Sequence, residues 1–177
     1  MTYEDYVAYM KEHGFFDKMQ GRILNPEMCP KIIESLTKLD AKNILEIGRF
    51  KGHSLGLFRF ICPDAKVVSI DTVNHKEATA IAEHFGGCEL VNGTSDKLKK
   101  RTDKFDFILI DGDHSYKWAK RDWDNVQNVL GSPCIVVFDD LDHGYGCGKA
   151  FYELEGYDTE IIKTSKGYDG NGYVYIK

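Results

Sequence analysis

The sequence predicts an α/β fold: a three-layer, doubly wound, mostly parallel sheet of seven strands that ends in an antiparallel hairpin. Five short apolar runs are nearly continuous rather than alternating, which is typical of strands buried on both faces of a parallel sheet. Stretches with apolar residues at every third or fourth position indicate helices between the strands. Two final apolar runs are joined directly, which predicts an antiparallel pair at the end of the sheet.

The five predicted parallel strands end at turn residues, most of which are acidic. The strands are residues 43–47, 66–70, 89–92, 105–110 and 134–138. Gly48 follows the first strand, Asp71 the second, Asp111 the fourth, and the pair Asp139 and Asp140 the fifth. Strands that alternate with helices through right-handed crossovers form a doubly wound sheet.

The helices are predicted from apolar stripes. One stripe lies in residues 28–39, ahead of the first strand. Another runs from Tyr116 to Leu130, and Gly131-Ser132-Pro133 is expected to end that helix. Aromatic residues at helical spacing within residues 3–16 predict a packing helix at the start of the chain, with a lid or a dimer contact as the alternative.

The hairpin is predicted from residues 159–163 and 173–176, with the turn between residues 166 and 172. A chain of 177 residues is most simply one domain. We therefore expect a single domain over residues 1–177, in which residues 1–40 form N-terminal packing or lid helices and residues 41–177 form the core.

The composition excludes several classes of function. Lys and Arg number 23 against 28 Asp and Glu, which gives a net charge of −5 and argues against a broad basic surface for nucleic acid. A hydrophobic content of 42% excludes a disordered chain, and no apolar run approaches the ~20 residues that span a bilayer. An acidic start without a secretory signal, and five widely spaced cysteines without Cys-x-x-Cys, indicate reduced thiols and a cytoplasmic location.

The turn after the first strand indicates a ligand that carries a nucleoside. Gly48 and Gly52 allow the backbone to turn sharply and to approach a ligand closely. Asp71 lies at the end of the second strand, where a carboxylate can accept both hydroxyls of a ribose. The alternative is a tight turn with a helix-capping aspartate and no ligand.

Two motifs resemble those of class I S-adenosylmethionine-dependent methyltransferases. Residues 46–52, Glu-Ile-Gly-x-x-x-Gly, followed by Asp71, are similar to the first two motifs of that class. Residues 107–116 resemble the fourth-strand signature of the methyltransferase 24 family, which is related to catechol and macrocin O-methyltransferases. Phe50 departs from the pattern, because it stands where these loops usually carry their middle glycine. The resemblance implies a Rossmann-like fold and S-adenosylmethionine as the cofactor.

The resemblance also implies roles for individual residues. Glu46, Gly48 and Gly52 would line the methionine part of the cofactor, and Asp71 would bind the ribose. The turn that contains Thr94 and Ser95 would lie against the adenine, and Asp111 would stand beside the cofactor.

Carboxylates at the ends of the fourth and fifth strands predict a divalent cation. Asp111, Asp139 and Asp140 are hard oxygen donors on neighbouring strands, which suits Mg²⁺ or Ca²⁺ better than zinc. Relatives resembling this chain bind their cation with carboxylates at these positions. The alternative is that Asp113 caps the following helix while Asp139 and Asp140 belong to a solvated loop.

The expected reaction is methylation of a hydroxyl on a small molecule or a sugar, which needs removal of one proton. Asp113 and His114 are both candidates for the base, and His143 is a weaker third. Trp118 is a candidate wall of the acceptor pocket. We expect no nucleic-acid or membrane partner, and a homodimer is an open alternative.

Two other functions are compatible with some of these residues. Asp111 and Asp113 at a strand end resemble the nucleophile and acid of Mg²⁺-dependent phosphohydrolases, although those enzymes carry the motif on an early strand. A catalytically silent module of the same fold that only binds a nucleoside is the other alternative.

Overall fold

The computed structural model describes residues 1–15, 25–142 and 146–177. The strands in the described part are β1 (Asn43–Ile47), β2 (Lys66–Asp71), β3 (Cys88–Asn92), β4 (Phe105–Ile110), β5 (Leu130–Phe138), β6 (Asp158–Lys163) and β7 (Asp169–Ile176). The α-helices are α1 (Tyr3–Glu12), α2 (Cys29–Leu39), α3 (His53–Ile61), α4 (Lys76–Phe85), α5 (Tyr116–Val126) and α6 (Cys147–Tyr152). Short 3₁₀ helices cover Ser95–Lys100 and Gln127–Val129.

The sheet confirms the predicted fold class. Its strand order is β3-β2-β1-β4-β5-β7-β6, with β1 to β5 parallel and the hairpin of β6 and β7 antiparallel at one end. The order reverses between β1 and β4, where Ile47 pairs with Ile70 on one side and with Ile110 on the other. The carboxyl ends of the central strands therefore lie level, at the place where doubly wound sheets bind their ligands.

Burial on both faces explains why the parallel strands are continuously apolar. Ile44 belongs to the core on one side of the sheet, which the first three α-helices cover, while the next residue, Leu45, belongs to the core on the other side. Val67 and Val68 divide in the same way on β2. Each strand thus supplies apolar side chains to both layers, which is what a sheet between two helical layers requires.

Two regions depart from the predicted boundaries by several residues, and β2, β3 and β6 each differ by one residue. Helix α5 ends at Val126, and Leu130 is the first residue of β5 rather than the last of the helical stripe. Residues 131–133 therefore lie inside β5, where the register with β4 is irregular. Residues 170–172 were predicted as a turn and lie inside β7 instead. A Cβ on Gly172 would come within 2.5 Å of the Phe151 ring, so this glycine makes room for α6 rather than for a turn.

Helix α1 packs onto the core. The Thr2 side chain accepts from the Asp5 amide while the Asp5 carboxylate accepts from the Thr2 amide, which forms a capping box at its start. Tyr6 and Met10 are fully buried in the core against α3. All five cysteines are free thiols. None of the helices in the described ranges combines the length and the apolar character that a membrane span requires.

Candidate cofactor-binding and active site

A cavity of about 1180 Å³ opens at the carboxyl ends of the central strands. The predicted site residues that line it are Gly48, Asp71, Thr94, Ser95, Asp111, Asp113, His114, Asp139 and Asp140. Glu46 and Gly52, which were also predicted, do not belong to its wall. Glu46 lies fully buried behind the loop, and Gly52 caps α3. The fold thus collects nearly all of the predicted residues in one place.

The loop between β1 and α3 is held in a shape that requires glycine at Gly48. Gly48 has φ +94°, and a Cβ there would lie 1.8 Å from the carbonyl oxygen of Asp111. The backbones of β1 and β4 therefore touch at this point, so that no side chain fits between them. Phe50, where the middle glycine of related loops stands, adopts the left-handed region with φ +44° and leaves 37% of its surface exposed.

The Asp71 carboxylate pins this loop. Its Oδ2 accepts hydrogen bonds from the backbone amides of Arg49 (2.9 Å) and Phe50 (2.7 Å), and its Oδ1 accepts from that of Val73 (2.8 Å). These bonds hold Phe50 in its unusual conformation. A carboxylate has about four acceptor sites, so Asp71 keeps capacity for one further donor from the cavity.

Two charged side chains are buried behind the loop. The Arg49 guanidinium, on a side chain only 2% exposed, donates to the Ser69 carbonyl oxygen (2.7 Å) and to Asn74 Oδ1 (2.9 Å). The Glu46 carboxyl accepts from the hydroxyls of Ser54 and Ser69. Burial raises the pKa of Glu46 to about 7, against the opposing effect of these two hydroxyls and of Arg49.

The turn after β3 is fixed by a buried polar network on α5. The Ser95 hydroxyl accepts from Asn125 Nδ2 (2.8 Å) and is hydrogen-bonded to the Asp122 carboxyl. Burial raises the pKa of Asp122 to about 6. Asp122 also lines the cavity. The hydroxyl of Ser95 is therefore engaged in positioning the turn.

The acidic residues at the ends of β4 and β5 lie together. The carboxyl groups of Asp111 and Asp139 lie close enough to shift each other's pKa. Burial, and then the charges of neighbouring carboxylates, raise the pKa of both groups well above the usual range. His114 stands between acids, with Nε2 3.4 Å from Asp111 Oδ1 and Nδ1 3.7 Å from Asp140 Oδ2.

The candidates for the base occupy different environments. Asp113 Oδ1 accepts from the Ser115 amide at 2.9 Å, and this hydrogen bond lowers the pKa of Asp113. His114 lies with the acidic group at the cavity wall. His143 is outside the described residues. Trp118 lines the cavity and packs under the Arg121 guanidinium, 4.4 Å from its ring centre.

Solved structures with the same fold include several methyltransferases. An O-methyltransferase from Bacillus cereus in complex with SAH has a TM-score of 0.76 at 18% identity, over 98% of this chain and 91% of that one. A putative caffeoyl-CoA O-methyltransferase from Staphylococcus aureus has a TM-score of 0.78 at 20% identity, over 97% and 92%. The O-methyltransferase TomG from Streptomyces achromogenes, in complex with SAM, has a TM-score of 0.67 at 19% identity, over 98% and 88%.

The sequence model of the methyltransferase 24 family, described as a methyltransferase domain, matches residues 45–141. The chain belongs to this family. It is an S-adenosylmethionine-dependent methyltransferase of class I. The match covers the loop after β1, Asp71 at the end of β2 and the acidic residues that follow β4 and β5. Among curated proteins, the sequence finds no match.

The carboxyl oxygens of Asp111, Asp139 and Asp140 are donors of the type that suits a hard cation. Asp111 and Asp139, however, face each other as a pair of carboxyl groups. Asp139 Oδ1 is buried without a hydrogen-bond partner, and Asp111 and Asp140 crowd the same point with negative charge. Over residues 1–15, 25–142 and 146–177, however, no group of three or more His, Cys, Asp or Glu side chains is spaced to hold a metal ion. The predicted trio therefore stays a prediction.

Three buried polar residues of the cavity wall escaped the sequence predictions. Arg49 and His53 lie in and just after the glycine loop, where polar residue types are ordinary, so nothing in the sequence marks them as buried. The position of Asp122, in contrast, could have been recognised from the sequence. It follows Ala119 by three positions and precedes Val126 by four, which puts an acid on the apolar stripe of α5.

Proposed function

We propose that this methyltransferase transfers the methyl group of S-adenosylmethionine to a hydroxyl of a small molecule or a sugar. The observation that carries the proposal is the cavity of about 1180 Å³ in which the loop held by Asp71 and the acidic group around His114 share one wall. In-line methyl transfer needs the cofactor and a base to be held on one cavity. An acid suited to the ribose of the cofactor and a candidate base both lie on the wall of this cavity.

The cofactor would lie along the loop after β1. We assign Gly48 to the methionine end and Asp71 to the ribose, for which its remaining acceptor capacity is suited. Glu46 and Gly52, which stand outside the cavity wall, are assigned to shaping the loop behind that end. The turn of Thr94 and Ser95 is assigned to the adenine, since the network behind Ser95 holds this turn against the cavity. We assign Asp111 a place beside the sulfonium end.

The chemical step forms a carbon–oxygen bond and breaks the carbon–sulfur bond of the sulfonium. The acceptor hydroxyl loses its proton, and S-adenosylhomocysteine leaves with the electron pair on sulfur. We assign the proton to the imidazole of His114, because it lies on the cavity wall with Nε2 3.4 Å from Asp111 Oδ1 and Nδ1 3.7 Å from Asp140 Oδ2, within the acidic group. Asp113 is the weaker candidate, since its lowered pKa makes it a poor base.

A divalent cation belongs to the proposal as a second component. Asp111, Asp139 and Asp140 would hold Mg²⁺ or Ca²⁺, for which the unpartnered Oδ1 of Asp139 is the main support. When bound, such a cation supplies a Lewis acid that lowers the pKa of a hydroxyl it contacts. Titration calorimetry with MgCl₂ or CaCl₂, with wild type and Asp139→Asn, tests this part: binding that the variant loses supports it, and silence of the wild type refutes it.

The acceptor is proposed to be a compound that contacts the open side of the cavity, with Trp118 as an apolar wall. Nucleic acid is not the proposed acceptor, because the chain carries a net charge of −5. The cytoplasmic location and a homodimer stay predictions.

The proposal is tested first by calorimetric titration of the wild type with S-adenosylhomocysteine, and failure to bind refutes it. Mass spectrometry then follows a gain of one methyl group over a panel of phenols, catechols and glycosides with S-adenosylmethionine present. His114→Gln is expected to lower turnover about 10²-fold or more while leaving S-adenosylhomocysteine binding within about threefold. Lys120→Gln, on the exposed face of α5 and away from the cavity wall, serves as the control. A chain that binds the product yet methylates nothing with His114 intact favours the silent module.

A further inference from the structure

Phe50 combines two unfavourable features at one point on the wall of the cavity. Its backbone adopts the left-handed region with φ +44°, which side chains other than glycine rarely do. Its apolar side chain also leaves 37% of its surface exposed. A glycine would give the loop the same backbone without strain, so the loop conformation alone does not explain a phenylalanine here. Strained residues of this kind cluster at ligand sites, which directs attention to the ring itself.

The surroundings of Phe50 fix the position of its ring. The carboxylate of Asp71 accepts the Phe50 amide at 2.7 Å, which holds the backbone. The imidazole of His75, directly before α4, packs edge-on against the ring with centres 4.8 Å apart. The ammonium of Lys51 lies 5.6 Å from the ring centre. The ring is therefore held at the cavity wall from several sides.

The hydrogen bond to Asp71 decides which part of a bound cofactor lies nearest to this ring. The oxygen that accepts the Phe50 amide belongs to the carboxylate that we assign to the ribose. A sugar whose hydroxyls donate to this carboxylate therefore lies within the reach of the Phe50 side chain. The faces of a ribose carry C–H groups, and an aromatic ring covers such groups well.

We propose that the ring of Phe50 packs against the ribose of the bound cofactor and shields its hydrogen bonds to Asp71 from water. This inference rests on the proposed function, since it takes S-adenosylmethionine and S-adenosylhomocysteine as ligands. Apolar surface that is exposed in the free protein is covered in the complex, and hydrogen bonds away from water are stronger. The contact in the complex thus offsets the strain of the Phe50 backbone.

The experiment separates the ring from the backbone strain. Phe50→Gly removes both, Phe50→Ala removes the ring and keeps the strain, and Phe50→Tyr keeps the ring. The control Tyr168→Ala removes an exposed aromatic ring from the turn between β6 and β7, away from the cavity. Titration calorimetry measures binding of S-adenosylhomocysteine and of 5′-methylthioadenosine, which keeps the ribose and lacks the amino-acid end. Urea unfolding without ligand measures the stability of each variant.

We expect Phe50→Gly and Phe50→Ala each to weaken S-adenosylhomocysteine about 5- to 10-fold, the range for the loss of one apolar contact. The loss for 5′-methylthioadenosine should agree within about twofold, because both ligands carry the ribose. Phe50→Tyr and Tyr168→Ala should bind both ligands as the wild type does.

The stability of the same variants should follow a different order. Phe50→Gly should have an unfolding equilibrium constant about fivefold smaller than that of Phe50→Ala, since only glycine fits φ +44° without strain. A ring with a merely structural role would make affinity follow stability. A loss confined to S-adenosylhomocysteine, no loss for either ligand, or equal stability of the glycine and alanine variants overturns the inference.

A measurement on the wild type keeps the test independent of whether a variant folds. With labelled phenylalanine, nuclear Overhauser contacts are expected between one ring and the ribose hydrogens of bound 5′-methylthioadenosine, and Phe50→Tyr assigns that ring. Contacts of the Phe50 ring with the adenine alone, or with no ligand hydrogen, contradict the proposal. If the wild type binds neither ligand, the proposed function itself fails; if it binds both and the Phe50 variants bind equally well, only this inference fails.

Discussion

Replacing the buried Glu46 by glutamine should make the protein less sensitive to rising pH. The folded state raises the pKa of this carboxyl from 4.5 to about 7, chiefly by burial. The folded chain therefore holds its proton more tightly than the unfolded chain, and folding stability falls as the pH rises from about 4.5 to 7. At 1.36 kcal/mol per pKa unit, the charge on Glu46 costs the folded state about 3 kcal/mol by pH 8.

Glu46→Gln keeps the shape of the side chain and removes the charge. Urea unfolding without ligand is measured at pH 5 and pH 8 for both proteins. We expect the variant to gain about 2–3 kcal/mol relative to wild type between these values, because the wild type alone must ionise the buried group. Asp111 and Asp139 shift in the same direction but are present in both proteins, so the comparison removes their effect.

Glu89→Gln provides a control whose pH response lies outside this window. The Glu89 carboxylate is hydrogen-bonded to Arg101, which lowers the pKa of Glu89 below its usual 4.5, so the stability that its charge adds is lost only as the pH falls below about 4.5. The difference between Glu89→Gln and wild type should therefore stay nearly constant between pH 5 and pH 8. A difference between Glu46→Gln and wild type that stays the same at pH 5 and pH 8 would refute the reasoning, since the burial of an ionisable Glu46 is its only premise.

Three further substitutions test the geometry around the loop. Gly48→Ala should prevent folding or cost several kcal/mol in urea unfolding, because its Cβ would overlap the carbonyl oxygen of Asp111, 1.8 Å away. Arg49→Met should cost about 3 kcal/mol or more by the same measurement, since it leaves carbonyl groups and a buried carboxylate uncompensated; an unchanged midpoint would contradict this. Tyr6→Phe should cost about 1 kcal/mol through the lost hydrogen bond to His53, and a neutral effect would show that the bond adds nothing.

The sequence predicted those parts of the fold that depend on repeated patterns. β1 and β4 begin and end where predicted, because two-sided burial leaves a continuous apolar run with sharp limits. The start of β5 was wrong, since Gly131 and Pro133 are residues that normally stop a strand, and here they sit where β5 pairs irregularly with β4. Only contact with Phe105 on the neighbouring strand explains that placement.

The candidate site was predictable in position and less so in detail. Asp71, Asp111 and Asp139 could be placed on one edge because parallel strands bring their carboxyl ends together. Which oxygen atoms of these carboxyl groups already accept hydrogen bonds could not be predicted from the sequence, because this depends on the conformation of the loops. The same holds for His53: its residue type was visible, but its burial depends on α1, which is distant in sequence.

The loop that Asp71 holds limits how the ribose contact can be dissected by mutagenesis. Its two oxygens already accept three backbone amides, so an alanine or asparagine at this position would release Phe50 from its left-handed conformation as well as remove a ligand contact. Chemical editing of the nucleoside avoids this confusion: 2′-deoxy and 3′-deoxy forms of S-adenosylhomocysteine would report on the sugar hydroxyls one at a time while the protein keeps its native loop.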